Sequence, residues 1–210
     1  MVASTEKAEL DAALALARAA LKLDQRKERE DWELLALGMA EYRSGRALGG
    51  YVHLMQNADL TMAQDPEVMK FLTGQAQTEI EAWKNMAAHI GHWYFRGYGT
   101  WAVEEKSSGR VIGRIGLMNP AGWPGFECGW TLARASWGKG YATEGARRAM
   151  AYAFTELNRD HVISLIQPEN VNSIRVAERL GEKVEGETEF LGKQCLIYGI
   201  SRDVWRSITQ

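Results

Sequence analysis

The spacing of apolar residues divides the chain into a helical first part and a mixed second part. Between residues 4 and 45, apolar side chains recur at helical spacing in two stripes, which the charged stretch Asp24–Asp31 separates. Tyr51–Gln56 fits a short strand of ambiguous period. We therefore predict a helical N-terminal segment, residues 1–50, followed by a main domain, residues 51–210.

A third helix is predicted from about residue 78 to 92. Thr78 is followed three residues later by Glu81, which is the pattern of a capping box at a helix N-terminus. The apolar residues expected on its inward face are Ile80, Trp83, Ala87 and Ile90.

The following residues alternate as strands. Trp101–Glu105 and Val111–Met118 flank the turn Ser107–Gly109, which predicts an antiparallel hairpin whose second arm is loosened by Gly113 and Gly116.

The second half combines strands with helices. In order, we predict a strand over Phe126–Leu132, a helix over 141–157, a buried strand over Val162–Ile166, a helix over 172–180 that stops at Gly181, and two strands over 183–190 and 194–201. The fold class that follows is α/β in the α+β sense: a mixed, mostly antiparallel sheet with a central strand–helix–strand unit.

Composition narrows the functional classes. The chain has 210 residues, 46% hydrophobic and 25% charged, and this suits a globular protein. A formal charge of −2 supplies no electrostatic drive toward nucleic acid. No apolar run approaches the ~20 residues of a membrane span, and acidic residues stand where a signal peptide has basic ones. We expect a cytoplasmic protein without a membrane partner, and the charge gives no support for a nucleic-acid partner.

Metal binding is not indicated by the spacing of potential ligands. Cys128 and Cys195 lie far apart without a CxxC motif. His89 and His92 share a helical face but lack a nearby third ligand, so we interpret them as surface or half-buried side chains.

The loop after Leu132 has the features of an anion site. A strand ends there, glycines follow at Gly138 and Gly140, and a helix begins near Tyr141 with Lys139 beside it. Backbone N–H groups and the positive helix end bind phosphate in such loops. A plain tight turn is the alternative. The P-loop and dinucleotide patterns are both absent, which leaves a coenzyme A type of site.

Two motifs resemble one family. The stretch ARASWGKGYATEGARRAMAYAF is similar to the acetyl-CoA motif of the GNAT superfamily, and Pro168–Gly181 is similar to the N-x-x-S…A-x-x-x-G segment of its RimJ/RimL-like branch. The resemblance covers about residues 59–205. Ala135 stands where the family has Gln or Arg, and the usual opening strand is replaced by the N-terminal helices.

The resemblance implies acetyl-CoA as cosubstrate, without a metal. Backbone N–H groups of Gly129–Leu132 are then expected to face the thioester oxygen, because the two central strands splay apart in this family. The residues implied in cofactor binding are Trp130, Leu132, Arg134, Trp137, Gly138, Lys139, Gly140, Tyr141, Ala142, Thr143, Asn170 and Ser173.

Three residues are candidates for proton transfer. The resemblance implies Ser173 as the acid that serves the departing thiolate, with helix capping as the alternative role. Glu127 and Glu189 are candidate bases, although strand glutamates are usually solvated.

The function implied is acetyl transfer to a primary amine, on a protein N-terminus or a small molecule. Acetylation of aminoacyl-tRNA or an aminoglycoside is an alternative. A third hypothesis is a non-catalytic CoA-binding module, in which residues 4–45 dock a partner or a second copy in a homodimer.

Overall fold

The computed structural model of the chain describes residues 61–209. Its helices are α1 (Pro66–Met69), α2 (Glu79–Arg96), α3 (Tyr141–Thr155), α4 (Val171–Leu180) and α5 (Arg202–Thr209). Its strands are β1 (Thr100–Glu105), β2 (Arg110–Met118), β3 (Glu127–Leu132), β4 (His161–Ile166), β5 (Lys183–Phe190) and β6 (Lys193–Ser201). The helices predicted within residues 4–45 and the strand at 51–56 lie outside the described residues.

The strands form one sheet in the order β1-β2-β3-β4-β6-β5. Every neighbouring pair is antiparallel except β3 and β4, which are parallel and joined by α3. The mixed, mostly antiparallel sheet with a central strand–helix–strand unit is therefore confirmed. The parallel pair at its centre is the feature that positions the site.

Helix α2 begins as predicted, since Thr78 and Glu81 form a complete capping box. The predicted inward face was wrong at Ile80 and Trp83, which are 69% and 58% exposed, whereas Ala87 and Ile90 are half-buried and Ile90 packs against Met86. The buried positions are instead Ala82, Met86, His89 and His92. The error arose because the two histidines belong to the buried stripe, and an apolar pattern does not count them.

The prediction of surface or half-buried histidines was also wrong. His92 is buried, its Nδ1 lies 2.7 Å from the Tyr98 carbonyl oxygen, and its Nε2 accepts from the Asn119 N–H at 3.0 Å. Nδ1 is therefore the protonated nitrogen, and the ring ties the end of α2 to the strands. Burial lowers the pKa of His89, with Arg114 and His92 as smaller causes. In residues 61–209, no cluster of three or more His, Cys, Asp or Glu side chains is arranged to hold a metal.

The hairpin of β1 and β2 is confirmed, but the glycines of β2 do not loosen it. A Cβ added at Gly113 would lie 2.3 Å from the Thr131 carbonyl oxygen, and one at Gly116 would lie 2.4 Å from that of Gly99. Both glycines permit a close approach of neighbouring backbone within a continuous strand. The irregularity of the hairpin is a register shift on the other arm, between Val103 and Glu104.

Helix α3 packs tightly on the sheet through small residues. Ala146, Ala149 and Ala153 are fully buried, and a Cβ at Gly145 would lie 2.5 Å from the Ile115 Cδ1 atom. This close packing holds the N-terminus of α3 directly beyond the end of β3. Helix α5 was not predicted; it covers the same face of the sheet, where Trp205 packs against Phe154. No helix in the described part of the chain has the length and hydropathy to cross a membrane.

Candidate functional site

The loop between β3 and α3 has the backbone that its glycines predict. Gly138 and Gly140 have φ values of 73° and 89°, and a Cβ at either would meet nothing within 4 Å. Only glycine adopts this region at low cost. The loop is thus left-handed at two points and open on its outer side.

A row of backbone donors follows. The N–H groups of Ser136 and Trp137 are bonded within the loop, to the carbonyls of Ala133 and Arg134. Those of residues 138–143 find no acceptor among the described residues, and the first bonded amide of α3 is Glu144 N–H, to Gly140 O at 3.1 Å. The N-cap glycine has no side chain to cap these donors. A pyrophosphate fits this donor set, since it offers several anionic oxygens to a positive helix end.

Two of the residues predicted to bind the cofactor contact a carboxylate that the sequence analysis did not identify. Tyr141 donates from its hydroxyl to Glu105 Oε1 at 2.9 Å, and Lys139 Nζ lies 3.7 Å from the same atom. Hydrogen bonds from Ser108 and Tyr141 lower the pKa of Glu105, so it is ionised. Glu105 therefore holds both side chains beside the loop while it offsets the charge of Lys139.

Two other predicted residues make contacts within the protein. Arg134 Nε forms an ion pair with Asp65 Oδ2 at 3.2 Å, and Trp137 Nε1 donates to the Leu132 carbonyl at 2.8 Å. Both contacts stabilise the loop and leave its main chain as the donor surface.

The parallel strands part immediately after they meet. Glu127 and Ile163 form their single residue pair, next to a bond from Ile163 N–H to Phe126 O at 2.9 Å. Beyond it, side chains replace the backbone ladder. Leu165 N–H donates to Glu127 Oε1 at 3.4 Å, and Ser164 Oγ donates to Cys128 O at 2.9 Å. We call the space between the diverging strands the gap, and this end its closed end.

Main-chain groups of β3 face the gap at alternate positions. The carbonyls of Phe126, Cys128 and Leu132 are bonded on the β4 side, to Ile163, Ser164 and Trp137. Because alternate residues of a strand direct their N–H and C=O to the same edge, Trp130 N–H faces the gap as well. This position matches the expected donor to a thioester oxygen.

The side chains of β3 divide between the two faces of the sheet. Cys128 contacts Ala146 of α3 through Sγ, and Trp130 contacts Ser173 of α4. Successive strand side chains alternate, so Glu127 lies on the opposite face. The candidate base and the candidate acid thus flank the gap from opposite sides of the sheet.

Glu127 is a carboxyl with a raised pKa. Burial is the main cause and raises the pKa to about 7, while hydrogen bonds from Trp123 Nε1 and Leu165 N–H oppose the rise. Trp123 in turn packs edge-on against Phe190 of β5, with ring centroids 4.5 Å apart. A carboxyl with this pKa exchanges protons near neutral pH.

Ser173 does not cap α4. The N-cap is Asn170, whose Oδ1 accepts from Ser173 N–H at 3.2 Å. The Ser173 hydroxyl oxygen accepts from Trp130 Nε1 at 3.1 Å. Since that contact uses only an oxygen lone pair, the hydroxyl proton remains available to a second partner.

Glu189 is placed apart from the other candidates. It is exposed, and its neighbour Phe190 is the residue that contacts Trp123. Alternation along β5 directs Glu189 to the opposite face from Phe190. The structure therefore does not bring Glu189 to Glu127.

A helix N-terminus beyond a central strand, together with a gap between two parallel strands, fits the binding site of an acyl-group transferase. The family model of the acetyltransferase (GNAT) domain matches residues 51–183. The chain belongs to this family and is a GNAT-type N-acetyltransferase.

Relatives agree with this assignment. An uncharacterized protein of Bacillus subtilis, YkkB, is 34% identical over 120 residues, 56% of this chain and 69% of that protein. The FsC-acetyl coenzyme A-N(2)-transacetylase of Aspergillus fumigatus is 32% identical over 176 residues, 73% of this chain and 72% of its own. A GNAT-family acetyltransferase of Bacillus anthracis superposes with a TM-score of 0.60 at 24% identity, covering 71% of this chain and 90% of that one, and so shares the fold.

Proposed function

We propose that the chain transfers the acetyl group of acetyl-CoA to a primary amine, carried by a protein N-terminus or a small molecule. The observation that carries the proposal is the row of unbonded N–H groups at residues 138–143, which lies beyond the end of β3, next to the gap. The name of the Aspergillus relative, a transacetylase that uses acetyl coenzyme A, supports the same cosubstrate. We also place the chain in the RimJ/RimL-like branch, on its Asn170-x-x-Ser173 motif.

The loop supplies binding rather than chemistry. Its main-chain donors and the helix dipole hold the pyrophosphate, and the Lys139 ammonium adds positive charge at the rim. Trp130 N–H then faces the thioester oxygen from the edge of β3, where it stabilises the negative charge that develops there.

Glu127 is the proposed base. An amine nitrogen that attacks the thioester carbon must lose a proton as the C–N bond forms, and the Glu127 carboxylate accepts it, directly or through one water. With a pKa of about 7, this carboxyl is largely ionised above neutrality and releases the proton to solvent afterwards. An N-terminal amine, whose pKa is ~7.7–8, needs no stronger base.

Ser173 is the proposed donor to the leaving group. When the C–S bond breaks, the sulfur carries the electron pair, and the free O–H of Ser173 donates toward it. Trp130 Nε1 holds the serine oxygen from the other side at 3.1 Å and thus orients that proton.

A thiol-release assay tests the proposal. The chain is incubated with acetyl-CoA and, separately, with N-terminal peptides, polyamines and aminoglycosides, and free thiol is measured. We expect at least one amine to accelerate release and to gain one acetyl group by mass. Acetyl-CoA binding without acceleration by any amine would favour the non-catalytic binding module instead.

A further inference from the structure

Glu182 is a buried carboxyl in an unusual position. It follows Gly181, whose φ of 88° ends α4, and its N–H bonds back to Ala177 O at 3.1 Å. In such helix stops this position commonly carries an apolar residue that packs against the helix. Here it carries a carboxylic acid that is only 3% exposed.

The Glu182 side chain reaches the closed end of the gap through one serine. Ser164 Oγ lies 2.9 Å from Cys128 O and 3.0 Å from Glu182 Oε1. The serine has one proton to donate, and the carbonyl can only accept. The next donor along β4, Leu165 N–H, is directed to Glu127 instead. If Ser164 donates its proton to the Cys128 carbonyl, the hydrogen bond between Ser164 and Glu182 requires a proton from Glu182.

The surroundings favour the protonated form. Glu182 Oε2 is buried without a hydrogen-bond partner, and Glu182 forms no ion pair with the residues at 61–209. Burying an unpaired carboxylate costs far more than burying a neutral acid. Burial is the main cause and raises the pKa of Glu182 to about 8; the hydrogen bond with Ser164 opposes this rise, and the charges of Glu127 and Glu185 add to it.

We propose that Glu182 is a positioning residue for the acetyl transfer: its protonated carboxyl donates to Ser164, Ser164 donates to Cys128 O, and this chain of bonds fixes the point at which β3 and β4 part. The proposal rests on the function proposed above, because it concerns the gap in which the thioester carbonyl lies. Cys128 follows Glu127 by one residue and precedes Trp130 by two. This chain of hydrogen bonds therefore fixes the positions of both the base and the oxyanion donor.

Loss of the Glu182 proton has a defined consequence. The carboxylate then competes for the Ser164 proton, the Cys128 carbonyl loses its donor, and a negative charge appears near Glu127. The other titratable groups that interact with Glu182 are Cys128 on β3, Glu185 on β5 and Tyr198 on β6, and none is a cation. The chain of hydrogen bonds from Glu182 through Ser164 to Cys128 O therefore breaks as pH rises through the pKa of Glu182.

The first test needs no substrate. A carboxyl whose pKa is raised by folding stabilises the protein fully below its unfolded pKa, and this contribution is lost as pH rises through the folded pKa. Glu182→Gln keeps a donor to Ser164 but cannot ionise. We expect its melting temperature, relative to the wild type, to rise between about pH 5 and about pH 9. Glu178→Gln, an exposed change on α4, is the matched control. Equal pH dependence in both variants would overturn the proposal.

The second test uses thiol release. Glu182→Ala and Ser164→Ala are expected to lower kcat with little change in the KM for acetyl-CoA, while Glu182→Gln restores kcat and extends activity to higher pH. A Glu182→Gln variant as impaired as Glu182→Ala would contradict the proton-donating role. If no amine is acetylated, the proposed function fails, yet the pH dependence of melting still decides whether Glu182 holds a proton.

Discussion

The loop at residues 133–143 and the closed end of the gap lie at opposite ends of β3 and use different chemistry. The loop is open, and its main chain supplies the donors, including those of Gly138 and Gly140. The closed end is built from the side chains of Glu127, Ser164 and Glu182, which come from two strands and a helix terminus. Under the proposed function, affinity for acetyl-CoA thus depends on backbone conformation, whereas proton transfer depends on desolvated side chains.

This difference makes the two regions separable by experiment. Changes in the loop should alter binding of acetyl-CoA and leave the pH dependence of turnover intact. Changes at the closed end should do the reverse.

The largest effect is expected for Glu127→Gln. Removing a general base commonly costs about 10²–10⁴-fold in rate, and we expect kcat to fall within that range. In the wild type, kcat should rise with pH through about 7, because the base is active only when ionised. This rise of kcat with pH should be absent in Glu127→Gln, as measured by thiol release across pH.

The companion variants decide between the two candidate bases. Glu189→Gln tests the exposed alternative, and Glu187→Gln, two residues earlier on the same strand, is the matched control. Turnover that is lost with Glu189→Gln and kept with Glu127→Gln would move the base to β5.

Ser173→Ala should have the next largest effect. A hydrogen bond to a charged group contributes about 1.5–3 kcal/mol, so kcat should fall about tenfold to a hundredfold while acetyl-CoA affinity is retained. Asn170→Ala is the structural counterpart, since it removes the cap of α4 and should cost about 1 kcal/mol of stability. A Ser173→Ala protein that melts earlier but turns over at full rate would assign the serine a structural role.

Gly140→Val should weaken acetyl-CoA binding by about fivefold to thirtyfold, because a left-handed backbone costs an L-residue about 1–2 kcal/mol. The readout is the rise in melting temperature that acetyl-CoA produces in the wild type. Gly192→Val is the control, since Gly192 has a φ of 75° and equally open surroundings in the β5–β6 turn. An undiminished thermal shift in Gly140→Val would remove the loop assignment.

The smallest effect is expected for Glu105→Gln. The amide keeps an acceptor for Tyr141 but removes the negative charge beside Lys139. Acetyl-CoA should bind more tightly, by at most about fivefold, and the gain should shrink at high salt. Weaker binding at low salt would show that the ion pair with Lys139 organises the loop.

The loop was predicted from the sequence because glycine spacing encodes backbone conformation directly, and the capping box at Thr78 was readable for the same local reason. The residues that contact the catalytic candidates could not be predicted in this way. Trp123, Ser164 and Glu182 meet through tertiary packing, and no local periodicity connects them. Glu182 left one signal: an acidic residue directly after the glycine that ends a helix, where an apolar one is usual.

The thiol of Cys128 bears on the kinetic order of the reaction. Its Sγ is directed away from the gap toward Ala146 O at 3.9 Å, and burial, with Glu182 and Glu127 nearby, raises the pKa of the thiol well above its usual range. Only a thiolate acts as a nucleophile, so this sulfur is unsuited to carry an acetyl group between substrates. Under the proposed function we therefore expect acetyl-CoA and the amine to occupy the enzyme together, so that initial-rate plots for the two substrates intersect rather than run parallel.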